Sequence, residues 1–232
     1  MQAFISESLN EIYMSSNCSN LSTVVLPDGA TTIGDFAFEG STSLVSIVIS
    51  EGVMSIGYSS FEDCTSLMSV VIPKSVVTMG GSVFYGCTSL VSVTVPGSIS
   101  SIEGYSFYGC TSLRSVTLLE GIVSIGYSAF YGCSSLTFVS LPKGMTTLED
   151  SVFQKCTSLI SVVLPSSVIS IGCKAFSECV QLAEVTCHAT VPPVLELFDG
   201  ACQNVHFEKG GVLNVPIGCG ERYRTSRYIS YG

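Results

Sequence analysis

Apolar and polar residues alternate along short stretches of this chain, and the pattern returns every 23 residues. In Leu90-Val91-Ser92-Val93-Thr94-Val95-Pro96, the leucine, Val93 and Val95 fall on one side and Ser92 and Thr94 on the other. That is the two-residue period of a strand with one buried face. Pro96 has no N–H to give to a sheet and ends the strand. Proline recurs in this place at 27, 73, 142 and 165. A second short extended piece, Ile99–Ile102, follows. Glycine stands after it at 34, 57, 80, 126 and 172, which predicts a tight turn with positive φ. The piece Ala129–Cys133 then closes the coil, and a helical or 3-10 turn is expected there. No stretch is long enough, with the right period, for an ordinary amphipathic helix.

The period is held by several columns at once. Cysteine falls at 18, 64, 87, 110, 133, 156, 179 and 202, with Ser41 filling the one gap. Leucine follows each of the first eight register points by three residues, from Leu21 to Leu182. Val24, Ile47, Val70, Val93, Val116, Val139, Val162 and Val185 form the central strand column. Phenylalanine precedes the register point by three at 38, 61, 84, 107, 130, 153 and 176. A single unit of this size cannot bury its apolar face, whereas stacked units share one continuous core. About nine stacked coils are expected, with the central valines on adjacent parallel strands ~4.8 Å apart. The organisation read from these columns is an N-terminal cap or degenerate first coil at 1–14, eight repeats over 15–202, and a C-terminal cap at 203–232 with a last strand and a short helix. Residues 3–14 lack the cysteine and phenylalanine columns and read as a short helix or a degenerate turn. Extra residues around His206 to Gly210 must loop out before the last strand, Val212–Pro216.

The repeat, as in Cys156-Thr-Ser-Leu-Ile-Ser-Val-Val-Leu-Pro165-Ser-Ser-Val-Ile-Ser-Ile-Gly172-Cys-Lys-Ala-Phe176, resembles the BspA-like, or treponemal-type, leucine-rich-repeat family. The resemblance covers roughly residues 15 to 232, including Pro192-Pro193 and the residues around Tyr223. It implies a right-handed leucine-rich-repeat solenoid, mostly β or α/β in type, with one continuous parallel sheet and short second strands. It also implies a surface or secreted protein engaged in adhesion and in binding other proteins. Ser41, Ser50 and Leu119, and Glu103 and Glu149, depart from the cysteine, proline and glycine of the pattern.

Composition narrows the function classes. The chain has 232 residues, 47% hydrophobic and only 12% charged, which excludes a disordered chain. Its net charge of −9 disfavours nucleic acid, whose phosphates it would repel. The arginines concentrate in the tail, at 222, 224 and 227. No apolar run reaches the ~18 residues of a membrane span. The first residues carry no basic segment followed by an apolar one, so no signal peptide is visible.

Candidate chemistry is sparse. The cysteines repeat at 23 residues, not in the close pairs of a zinc site, and read as buried, reduced thiols packed as small hydrophobes. Cys173, Cys187 and Cys219 lie out of phase, and a disulfide among them or with Cys202 is left open. Gly57-Tyr-Ser59, Gly104-Tyr-Ser106 and Gly126-Tyr-Ser128 have part of a nucleophile elbow but lack its second glycine. The two histidines, His188 and His206, are not set beside a nucleophile and an acid. Asn17-Cys-Ser19 and Asn20-Leu-Ser22 fit a glycosylation sequon. No catalytic residue, metal or cofactor is expected.

Two surface columns are candidates for binding a protein or glycan partner. The first is the outward strand face, with Ser92, Thr94, Ser115, Thr117, Phe138 and Ser140 in the central repeats. Phe138 puts a ring where the other repeats, except the last, have Ser or Thr. The second is the column of Tyr85, Tyr108 and Tyr131, either a stacked ladder or a ligand platform. The favoured reading is a non-catalytic binding module at the cell surface or secreted; the alternative is an intracellular scaffold.

Overall fold

A computed structural model describes residues 4–6, 11–13, 20–26, 29–195 and 212–225. Its strands in chain order are β1 (Phe4–Ser6), β2 (Glu11–Tyr13), β3 (Thr23–Val25), β4 (Thr32–Ile33), β5 (Ser46–Val48), β6 (Ser55–Ile56), β7 (Ser69–Val71), β8 (Thr78–Met79), β9 (Ser92–Val95) and β10 (Ser101–Ile102). They continue as β11 (Ser115–Leu118), β12 (Ser124–Ile125), β13 (Phe138–Ser140), β14 (Thr147–Leu148), β15 (Ser161–Leu164), β16 (Ser170–Ile171), β17 (Glu184–Cys187), β18 (Val194–Leu195) and β19 (Val212–Asn214). A short helix, α1 (Gly220–Thr225), follows.

The molecule is a parallel β-solenoid. Its principal sheet has nine strands, ordered β19-β17-β15-β13-β11-β9-β7-β5-β3. Register follows the 23-residue period: Val24 pairs with Ile47, Ile47 with Val70, Val93 with Val116, Val139 with Val162, and Val162 with Val185. Val24, Ile47, Val93, Val139, Val162 and Val185 are buried, while their strand neighbours Val25, Val48, Thr94 and Ser140 are exposed, as alternation requires. Two junctions retain a single residue pair: Ser69 with Ser92 between β7 and β9, and Ser115 with Phe138 between β11 and β13.

The second strands form two separate five-stranded ribbons, β1-β2-β4-β6-β8 and β10-β12-β14-β16-β18. The first opens on an antiparallel pair, Phe4 with Tyr13, and β2 then lies parallel to β4. That pair stands where the chain pattern suggested a short helix or degenerate turn. Cys18, Cys202, Asn17 and the loop from His206 to Gly210 lie outside the described residues.

The glycine column serves a purpose other than the one expected. Gly57, Gly80, Gly126 and Gly172 are not in the left-handed region. They are required by contact between coils: a Cβ on Gly80 would sit 2.7 Å from the Tyr58 backbone nitrogen, and one on Gly126 2.7 Å from that of Gly104. Where Glu103 replaces glycine the ribbon breaks. Gly80 and Gly126 donate to the carbonyls of Ile56 and Ile102 at 2.9 and 2.8 Å, whereas among the described residues Glu103 makes no such bond to Met79. Glu149 keeps its bond to Ile125, at 3.1 Å.

The closing segment holds two left-handed residues per coil, as in Ser59 and Asp63, Ser82 and Gly86, Tyr105 and Gly109, Ser128 and Gly132. They interrupt any helix, so this segment is a run of turns and not the helical or 3-10 turn anticipated. Its N–H groups alternate in direction. Ala129, Tyr131 and Cys133 donate three residues back, to Gly126, Ser128 and Phe130. Ser128, Phe130 and Gly132 donate instead to Asp150, Val152 and Gln154 of the next coil. Every buried backbone donor named here is thereby satisfied without a helix.

Inside, the seven phenylalanines from Phe38 to Phe176 are buried and stacked, with centroids 5.1 to 5.6 Å apart. Such pairs contribute roughly 0.5–1.5 kcal/mol each beyond the area they bury. They belong to one continuous apolar core running from Ile12 to Cys219.

Candidate functional site

The odd-numbered strands place every predicted strand-face residue on one surface. Ser92, Thr94, Ser115, Thr117, Phe138 and Ser140 are all exposed on β9, β11 and β13. Phe138 shows 48% of its surface. Toward the N-terminal end the same face carries Val25, Val48 and Val71, exposed by 83%, 67% and 75%.

The face is not uniform, because the sheet opens between β11 and β13. Elsewhere the residue just before a strand donates its N–H to its counterpart one coil back. Val45 to Ser22, Met68 to Val45, Val91 to Met68, Arg114 to Val91, Ile160 to Thr137 and Ala183 to Ile160 all do so, at 2.9–3.1 Å. Among the described residues, Thr137 makes no such bond to Arg114. Beyond the Ser115–Phe138 pair the strands part. Val116, alone in its column from Val24 to Val185, is only partly buried.

Leu119 stands beside the opening. Proline in this place at 73, 96, 142 and 165 has no N–H, but Leu119 donates to the Val95 carbonyl at 3.1 Å. That bond extends the four-residue pairing of β11 with β9 and holds β11 to its earlier neighbour. At the same time Leu141 donates forward to Val163 at 3.1 Å. Past the Ser115–Phe138 pair, each strand thus keeps its bonds to its outer neighbour.

The result is a groove of ≈ 380 Å³ between β11 and β13. Ser115, Thr117 and Ser140 line it with the partly buried Val116 and the exposed Phe138, and Arg114 and Glu120, which flank β11 before and after, complete the lining. Glu120 is engaged, accepting the Lys143 backbone N–H at 3.1 Å. Ser92 and Thr94 lie one strand away and take no part in the groove. The pattern of the chain pointed to Phe138 but missed Arg114, Val116 and Glu120. Leu119 in the proline place, and Arg114 as the one charge in a column otherwise holding Val91, Thr137 and Ile160, were the signals available.

The tyrosine column lies on another side of the coil, in the closing turns. Tyr85 and Tyr108 stack at 4.8 Å and 4°, and Tyr108 and Tyr131 at 4.6 Å and 1°. The Lys155 ammonium caps the series 5.2 Å from the Tyr131 ring. Burial, then the neighbouring rings Tyr131 and Tyr85, raises the Tyr108 hydroxyl above its ordinary pKa. Ring faces engaged by each other and by a cation leave mainly edges for a ligand.

The remaining motifs sit in the core or the turns. Ser59 is buried, and the Ser106 hydroxyl donates to the Glu103 carbonyl at 2.6 Å. Cys64, Cys87, Cys110, Cys133, Cys156 and Cys179 are buried free thiols. Burial raises the pKa of each well above its ordinary value. Out of phase with them, Cys173 is disulfide-bonded. Among the described residues, no three His, Cys, Asp or Glu side chains converge to hold a metal, and no helix is long and apolar enough to cross a membrane.

The period, the parallel register and the shared core agree with what the comparisons find. The model of the BspA type leucine rich repeat region matches residues 7–102 and 78–196, in six copies. The chain belongs to this family. A leucine-rich repeat protein from Bacteroides ovatus is similar at 25% identity and a TM-score of 0.65, over 87% of this chain. This BspA-type chain spans 55% of the length of that protein. The Treponema pallidum leucine rich repeat protein shares the fold, with 21% identity, a TM-score of 0.59, and coverage of 100% of this chain and 95% of its own. No curated protein matches the chain. The BspA-type solenoid is a non-catalytic repeat fold and a protein-interaction fold.

Proposed function

We propose that this chain is a non-catalytic recognition module of a cell-surface or secreted protein, engaged in adhesion, and that it binds a protein through the strand face of its central coils. The observation that carries this reading is the opening between β11 and β13, where Phe138 and Val116 present apolar surface amid Ser and Thr hydroxyls. Hot spots of protein interfaces favour aromatic anchors beside a pocket, with truncation costing on the order of 2 kcal/mol or more. The stacked tyrosines support the coil that bears them, so the strand face is preferred over that column. Family membership supports the surface assignment.

The test is to identify a partner by capture from host or matrix extracts and to measure its affinity for the wild type, Phe138→Ser and Tyr108→Ser. Phe138→Ser is expected to weaken binding about tenfold, and Tyr108→Ser much less. Equal affinity of all three proteins overturns the reading.

A further inference from the structure

We propose that the groove between β11 and β13 receives an extended peptide segment of the partner, with an apolar side chain over Val116 against Phe138 and a carboxylate paired with Arg114. This deepens the strand-face reading and rests on it. Three observations converge here. The sheet is parted, so a narrow slot exists at Val116, the one partly buried residue in the central column from Val24 to Val185. Its lining includes the strand residues Ser115, Thr117 and Ser140 and, just before β13, Thr137, whose hydroxyls suit an extended backbone better than a bulky folded surface. The two ends of β11 are unlike: Arg114 precedes the strand, and a carboxylate, Glu120, already bonded to the next coil, follows it.

The charges decide the occupant. The chain carries a net charge of −9, with few bases on its repeats, and Arg114 is the one base at the rim of this groove. An arginine fork matches a carboxylate in two parallel hydrogen bonds. Glu120 at the far end repels a second acid, so the segment that fits has its acidic residue at one end only. In an extended segment, residues two apart share a face. An acid two positions from a leucine or phenylalanine therefore places one group toward Arg114 and the other toward Val116 and Phe138. A basic segment in the same slot would meet Arg114 at close range and be rejected.

The experiment uses the whole chain and short fluorescent Ser/Thr-rich peptides bearing one Leu or Phe, with Asp, Asn or Lys two residues away. Binding to wild type, Phe138→Ser, Arg114→Lys and Arg114→Glu is read by anisotropy, with thermal unfolding as the check on folding. All three substitutions are on exposed positions and leave the core intact. The Asp peptide is expected to bind wild type roughly tenfold tighter than the Lys peptide, and Arg114→Glu to invert that order. Arg114→Lys retains part of the preference, and Phe138→Ser weakens every peptide. If Phe138→Ser weakens binding while Asp and Lys peptides bind alike and Arg114→Glu changes nothing, the acidic partner is wrong and the strand-face reading stands. If no peptide binds wild type, the extended-segment proposal fails; the strand-face reading is then judged separately by the captured partner. If peptides bind and Phe138→Ser leaves all of them unaffected, the groove is not the site and both readings fall.

Discussion

The Cys110 sulfur lies 3.2 Å from the carbonyl oxygen of Phe84 in the coil before it, and donates its S–H to that oxygen. The same bond joins Cys64 to Phe38, Cys87 to Phe61, Cys133 to Phe107, Cys156 to Phe130 and Cys179 to Phe153, at 3.1–3.2 Å. The cysteine column thus adds a weak hydrogen bond between coils while it fills space. A thiolate would lose the donor and bury a charge. Thiol reagents are expected to label Cys64, Cys87, Cys110, Cys133 and Cys156 slowly in the native protein and fast once it unfolds. Rapid native labelling, read by mass spectrometry, contradicts this packing.

Stability should also fall in alkali. Burial pushes the Cys64 and Cys179 thiols up to about 12 from an ordinary 9.0. Between those values the unfolded chain has lost protons that the folded one keeps, so stability declines as pH rises. The contribution is complete below pH 9.0 and is gone once pH passes about 12. Denaturant midpoints from pH 8 upward should drop less steeply in a Cys64→Ala/Cys179→Ala variant than in the wild type; identical slopes count against it.

Phe107→Ala removes one ring from the middle of the buried stack, between Phe84 and Phe130 at 5.4 and 5.1 Å. The expected cost is about 3–5 kcal/mol. Coils touch only their neighbours, so calorimetry should show the single transition splitting. An unchanged melting profile removes Phe107 from the core.

Gly126→Ala forces a Cβ to within 2.7 Å of the Gly104 nitrogen and is expected to cost about 1–3 kcal/mol. Gly109 makes the contrast. It is left-handed, but nothing lies within 4 Å of its would-be Cβ, and Asp63, Lys155 and Glu178 adopt the same φ in other coils. Gly109→Asn should therefore cost no more than about 1 kcal/mol. Equal losses in urea unfolding contradict the distinction between crowding and backbone handedness.

Ser60→Ala should stabilise. Its hydroxyl is buried with no hydrogen-bond partner, and the same place in other coils holds Ala37, Ala129 and Ala175. Removing an unsatisfied buried polar group recovers about 1 kcal/mol. A lower denaturation midpoint in Ser60→Ala is the contrary result.

The strand register was legible because each column has one environment: Val24, Ile47 and Val93 are apolar wherever the coil turns inward. The glycine column was legible as a constraint but misread as to its kind, since tight approach and positive φ both select glycine. Several residues that do carry positive φ, such as Ser128 and Lys155, are not glycine and gave no sign, although Gly86, Gly109 and Gly132 share that conformation. Phe138 stood out by type. The groove beside it did not, because it is the loss of pairing between β11 and β13 beyond Ser115 and Phe138, a relation between coils that no single column records.

The gap between the two ribbons has a mechanical consequence. Between Met79 and Ser101 the second strands do not pair, and the principal sheet at the same level keeps only Ser69 with Ser92. Among the described coils, a molecule tethered at both ends and pulled along its stack has its fewest backbone bonds to break there. Tearing would start at that level and leave two shorter stacks, each with its own ribbon whole, so the solenoid under load yields in halves before it unravels coil by coil.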